Sequence, residues 1–143
     1  MPALPAVGSP LIRTWFGDDA SWRHLVHLVE TPSPEGFLAN VVFIDDRTYE
    51  GTTAAGLRAE HHDGEAASFI ADRRTLTEPE LPILAVWTSS FVYDAAEVDE
   101  SKLRPFRVIP SQLWSVEANI NISNMDWWEF LGSVDDDGVF RGF

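Results

Sequence analysis

The chain contains no cysteine, which removes disulfides, thiolate nucleophiles and cysteine-based zinc sites from consideration. Lysine is almost as scarce: Lys102 stands alone, and arginine supplies the rest of the positive charge. Against 10 basic residues stand 23 acidic ones, for a formal charge of -13. A surface of that sign repels phosphate backbones and anionic lipid. Nucleic-acid and membrane-surface roles are therefore disfavoured, leaving a basic protein partner, a cation or plain solubility. Long apolar runs are also lacking. The longest strongly apolar stretch is "ILAVW" (83–87), far short of the roughly 20 residues a spanning helix needs. The start, "MPALPAVGSP", has three prolines and no basic residue, so it reads as neither a secretory signal nor an anchor. A cytoplasmic protein is the expectation, with residues 1–10 a flexible N-terminal arm.

What is present is an ordinary globular composition. Of 143 residues, 45% are hydrophobic and 23% charged, enough for one domain with its own core over residues 11–143. "LIRTWF" (11–16) is rich in aromatic and β-branched residues and reads as a strand. Helical spacing follows, with Trp22, Leu25, Val26 and Val29 at i, i+3, i+4 and i+7, and Asp18 or Asp19 placed to cap. "TPSPEG" ends that helix. "LANVVFI" (38–44) is a near-continuous apolar run, which predicts a strand buried on both faces. Thr52 or Thr53 then caps a short helix over 54–61. "ASFIA", "ILAVWT" and "FRVI" supply further strands, with one helical turn in "DRRTLTEPELP". After Pro110 the pattern becomes helical, with Ser111 as the candidate cap and Leu113, Val116 and Ile120 as the buried stripe. Strands alternating with helices predict an α/β fold. The expected architecture is a mixed, mostly parallel sheet of about five strands flanked by helices, with the C-terminal part helical. The first two crossovers are long enough for right-handed β-α-β units, whereas the third is near the minimum for a parallel connection. The last two strands suit an antiparallel hairpin.

Four blocks, "LANVVFIDD", "FIADRRTLTEPELPIL", "FRVIPSQLWSVEANINISNMDWWEF" and the terminal "DDDGVFRGF", occur in an order that resembles a family of small acidic actinobacterial proteins. That family is classified as a domain of unknown function. The resemblance covers nearly all of the chain after the arm, and the third block is its most specific part. It implies no activity, so no catalytic residue is assigned through it. Family members join the last two strands by a brief turn, whereas residues 88–104 are longer here.

Chemistry has few places to sit. Asp18 and Asp19, Asp45 and Asp46, and Asp72 each follow a predicted strand, and parallel strands bring such ends to one edge. Asp45, Asp46 and Asp72 are thus the candidate ligands for Mg²⁺, which favours oxygen donors. Crowded carboxylates would raise one another's pKa and let one act as an acid. The competing reading is helix capping and turn formation, which explains every one of these aspartates without a ligand. His24 and His27, and His61 and His62 beside Asp63 and Glu65, supply only pairs where zinc needs three or four ligands. "SVDDDG" (133–138) begins like a calcium loop, but the chain ends at Phe143, one residue before the required glutamate. There is no nucleophile motif and no glycine-rich phosphate loop.

Aromatic residues are the remaining signal. Asp126 and Glu129 in "SNMDWWEF" have the spacing of a capping box. A helix from Trp127 puts Phe130, Leu131 and Val134 on its buried face and turns Trp128 about 100° away. Trp114 is off the stripe of its own helix in the same manner. Trp114 and Trp128 are the candidate partner-binding residues, since interfaces favour such anchors. Asn121 and Asn124, in the polar stretch with Asn119 and Ser123, are the candidate amides, a structured turn being the plainer account. The function expected is a non-enzymatic protein-interaction module, immunity- or inhibitor-like, acting on a basic partner and needing no cofactor. The alternatives are a divalent-metal-dependent enzyme using the strand-end aspartates with Mg²⁺, and a small-molecule binding module.

Overall fold

The computed structural model describes residues 8–59, 66–89 and 100–143. Six strands, β1 (Ser9–Arg13), β2 (Val41–Ile44), β3 (Ala67–Ala71), β4 (Ile83–Trp87), β5 (Phe106–Val108) and β6 (Val139–Phe140), form one sheet in the order β2-β1-β3-β4-β5-β6. Five α-helices accompany them among the described residues: α1 (Asp19–Val29), α2 (Ala54–Ala59), α3 (Arg73–Thr77), α4 (Leu113–Asn121) and α5 (Trp127–Leu131). The result is a small single α/β domain with a mixed sheet. The β1–β2, β1–β3 and β5–β6 pairs are parallel, while β4 runs antiparallel to both β3 and β5. Five strands therefore point one way and β4 the other.

Alternation along the central strands divides the core. Leu11, Phe69 and Ala85 face one side, and Ile12, Ile70 and Val86 the other, as the two-residue period requires. The first side is thickly covered by Trp22, Leu25 and Val29 of α1, Leu113, Val116 and Ile120 of α4, and Trp127 and Phe130 of α5. Among the described residues, the second carries Leu57 of α2 and Tyr49, with Ile44, Ala54 and Leu84 packed against them. Both stripes expected for α1 and α4 are thus the faces that meet the sheet. Aromatic rings tie α5 down. Trp127 is fully buried and donates from Nε1 to the Arg104 carbonyl at 2.8 Å, with Phe106 4.8 Å and Trp87 5.9 Å away between ring centres. Burying one such ring removes 150–250 Å² from water, worth about 5 kcal/mol before entropy is subtracted.

Several expectations are corrected. β1 begins at Ser9, inside the supposed arm, and ends at Arg13: the Thr14 amide still donates to Ala71 of β3 at 3.0 Å, but its carbonyl accepts from Gly51 at 2.9 Å. Residues 1–7 lie outside the described residues. β2 is four residues long and sits at the sheet edge, with Val42 39% exposed. None of its four residues is fully buried, so the apolar run marks a partly covered edge strand and not one enclosed by layers on both faces. The β3–β4 connection is not a crossover: α3 has five residues, closed by a reciprocal Asp72–Thr75 capping box, and Leu81 (φ 50°) bends the chain straight back. Ser111 does not cap α4; it lies in a 3-10 turn over Pro110–Gln112 that leads into the helix. The terminal segment, in the part expected to be helical, forms β6 beside β5. Most of the 88–104 loop, residues 90–99, lies outside the described residues, as do His61, His62, Asp63 and Glu65.

Candidate functional site

The carboxyl ends of β1, β2 and β3 do share an edge, as the strand-end argument requires, but each aspartate there has a protein partner. Asp18 caps α1 by accepting from the Ser21 amide at 3.0 Å. Asp46 accepts from the Thr48 amide at 2.9 Å and caps the turn over Arg47–Tyr49. Arg13, 4% exposed in its side chain, reaches Asp19 at 2.6 Å and Asp45 at 3.3 Å. Asp72 receives the Arg107 guanidinium bidentately, at 2.9 and 2.7 Å, besides the Thr75 amide at 3.0 Å. Among the described residues, no three acidic or histidine side chains are grouped to hold a metal ion. Titration moves opposite to the crowding argument. The Ser21 amide lowers the Asp18 carboxyl, Arg13 lowers Asp19, and the Thr48 amide lowers Asp46. Burial pushes Asp72 up, yet Arg107 and the Thr75 donors outweigh it and hold the group below its ordinary value. Donors and cations, rather than other carboxylates, surround these groups. A carboxyl held down in this way is a poor acid near neutrality.

The calcium-like stretch has its cation built in. Arg141 bonds Glu80 at 2.8 Å through both Nε and Nη2, and reaches Asp135 and Asp137 at 2.7 Å. Those carboxylates keep Arg141 firmly charged, raising its pKa. The clamp fastens β6 to the α3–β4 turn.

The four residues expected to meet a partner are not gathered in one place. Asn121 faces inward: its Nδ2 donates to Ser9 Oγ at 2.9 Å and to Glu117 at 3.1 Å, and its Oδ1 accepts from the Ala67 amide at 3.1 Å. Asn124 is exposed and donates to Asn119 Oδ1 at 2.8 Å. The polar stretch is indeed a structured turn, in which Ser123 rather than an asparagine takes positive φ (57°) and the Asn119 carbonyl accepts from the amides of Asn124 and Met125. Trp128 packs partly against the core, with Lys102 Nζ 5.4 Å from its ring centre. In α5, Glu129 accepts from the Asp126 amide at 2.8 Å, as the capping-box spacing predicts.

Trp114 is the residue that leads to a site. Its ring stacks on Phe37, with centroids 4.7 Å apart and planes 21° from parallel. One turn further along α4, the buried Glu117 carboxylate accepts from the Asn40 amide. The 31–40 loop is therefore held to α4 at two points. The loop's own shape comes from a tight turn in which the Ser33 carbonyl accepts from Gly36 at 2.8 Å and Ser33 Oγ from Phe37 at 3.0 Å. Gly36 takes φ 90°, a conformation glycine adopts without strain. The turn pushes Phe37 and Leu38 outward, each 51% exposed.

Between this loop, Pro79 and Glu80, and Ile109–Trp114 lies a groove of about 620 Å³ whose walls include Leu28, Pro34, Phe37, Leu38, Pro110 and Trp114. Its lining is mainly apolar, with Glu35, Glu80 and Gln112 as polar points. Such a groove can bury an apolar side chain and discriminate charge at its rim. The sequence does contain the signal: "EGFLAN" places two large apolar residues directly after a proline- and glycine-rich turn. Assigning Leu38 to a buried strand concealed it.

The architecture defines a small mixed α/β domain with a carboxyl edge whose aspartates have partners within the fold and an apolar groove beside an open strand. The chain belongs to the family described as domain of unknown function (DUF6924), whose model matches residues 8–143. No curated protein matches it. Among the described residues, no helix is long and apolar enough to cross a membrane.

Proposed function

We propose that this is a non-enzymatic protein-interaction module that receives a basic partner at the groove between the 31–40 loop and α4. The half-exposed Phe37–Leu38 pair, braced by Trp114, carries this reading. Two large apolar side chains are kept in water by a turn that needs Gly36, and an apolar surface maintained in that way suits an interface. The charge of -13 supplies attraction for a basic protein, so association is steered over a Debye length and weakens with salt. An immunity- or inhibitor-like role is the concrete form of this proposal. The actinobacterial source and the cytoplasmic setting also belong to it, supported by the preference for arginine and the lack of cysteine.

The test uses a partner captured from the native host and then purified. Its association rate with the protein should fall steeply as ionic strength rises, and Trp114→Ala should weaken the complex at least tenfold, as loss of an anchor does. Equal rates at low and high salt, or unchanged affinity in the Trp114 variant, would contradict the proposal. A second reading, a small-molecule binding module, is favoured by the groove volume of about 620 Å³, which lies within the usual range for ligand sites. Saturable quenching of Trp114 by a small apolar compound, with no protein partner at that face, would favour it instead.

A further inference from the structure

We propose that the outer edge of β2 receives an extended basic segment of the partner as an added strand, seated next to the groove. This rests on the interaction reading above and names how the partner is held. The hydrogen-bond register shows which amides are free to take part. Ser9 donates to the Asn40 carbonyl at 3.0 Å, and Ser9 and Leu11 lie opposite Val41 and Phe43 in a parallel ladder. In such a ladder every second β1 residue, here Ser9 and Leu11, bonds the two residues flanking its counterpart. Asn40, Val42 and Ile44 thus turn their polar groups toward β1, and Val41 and Phe43 turn theirs outward. Among the described residues β2 has no strand on that side.

Edge strands are commonly blunted by lysine, proline or a bulge. β2 has none of these, and Val42 is 39% exposed. Charge selects the occupant. From residue 30 to residue 50 there are five acidic side chains and one basic, Arg47, which is itself paired with Glu50 at 3.3 Å. Asp45 and Asp46 follow the strand directly and both are exposed, Asp45 keeping 51% of its side chain in water although Arg13 reaches it at 3.3 Å. A second copy of this chain would bring the same negative charge to the same edge, whereas a strand alternating apolar and cationic residues fits both the row of amides and the acidic flank. Main-chain bonds would give affinity and the alternation would give specificity, as in other strand additions.

The probe is a blocked peptide of alternating valine and arginine, added to the full chain and followed by amide hydrogen exchange and indole resonances. The expected result is that exchange at Val41 and Phe43 slows roughly tenfold or more at saturation, and that salt reverses it. Val41→Pro removes one outward donor at an edge position where proline is tolerated. It should weaken the peptide by about five- to tenfold while leaving the Phe37–Trp114 stack unchanged. A shift of the Trp114 indole without protection at Val41 and Phe43 would overturn strand addition and leave the groove reading standing. Absence of peptide binding would overturn the basic-strand occupant. Protection that grows with protein concentration alone would overturn it in favour of a second copy.

Discussion

The two edges of the sheet are built in opposite ways. At the β6 edge the strand is only two residues long, the Arg141 clamp gathers Glu80, Asp135 and Asp137, and Phe140 and Phe143 pack around Phe130 at 5.1 and 5.3 Å. At the β2 edge the strand is twice as long, its outward amides face no described strand, and Phe37, Leu38 and Val42 stand in water. One edge is closed by contacts the protein supplies for itself. The other has its apolar side chains braced from beneath, by Trp114 and Glu117, and left uncovered above. Rigid support under exposed apolar groups costs stability without gaining burial, which is why function is assigned to that edge.

The largest effect should come from the closed side. Trp127→Ala removes a fully buried ring and its bond to Arg104, and should lower unfolding free energy by about 3–5 kcal/mol in urea titration. Leu38→Ala, at the open side, should change stability by no more than about 0.5 kcal/mol, and Phe37→Ala, which also loses the stack on Trp114, by about 1 kcal/mol, while partner affinity falls in both. A loss at Leu38 as large as that at Trp127 would erase the distinction between the edges.

Next comes the acid response. Asp72 titrates lower when folded than its ordinary value of 3.8, so folding favours its charged form. The stability contributed by the Arg107–Asp72 pair is complete above that value. It is lost as pH falls through 3.8 toward the lower folded value. Melting temperature measured across that acid range should drop less steeply in Asp72→Asn than in the parent. An unchanged slope would show that Arg107 does not hold the carboxylate. The smallest effect belongs to Arg141→Gln: exchange should quicken at Arg107 and Ile109, whose amides donate to Gly138 and Phe140 across the β5–β6 pair, with little change in the global midpoint. Equal exchange would mean that ring packing alone closes that edge.

How much of this was legible in the sequence follows from the kind of signal each feature leaves. The α1 and α4 stripes and the central strands were readable because burial imposes a period on the chain. β6 was not, since two residues are too few to show alternation. The edge position of β2 was hidden because an apolar run looks the same at the centre of a sheet and at its rim; only pairing, which is non-local, separates the two. The strand-end aspartates lie where the sequence places them, but the arginines that meet Asp19, Asp45 and Asp72 come from up to 35 residues away, as Arg107 does for Asp72. Trp114 was singled out by its place off the stripe. Its partner Phe37 leaves no such mark, because the contact joins a loop to a helix with no spacing rule between them.

Partner contact is proposed at the β2 edge and not at the β6 edge. Leu38 and Phe143 are both exposed apolar positions, at 51% and 73%, one on each side, and each can carry a photo-crosslinking phenylalanine analogue. Irradiated in the native host, the protein labelled at position 38 should give discrete adducts with a basic protein, and the protein labelled at position 143 should give none above background. Adducts of equal yield at both positions, or at position 143 alone, would contradict the account.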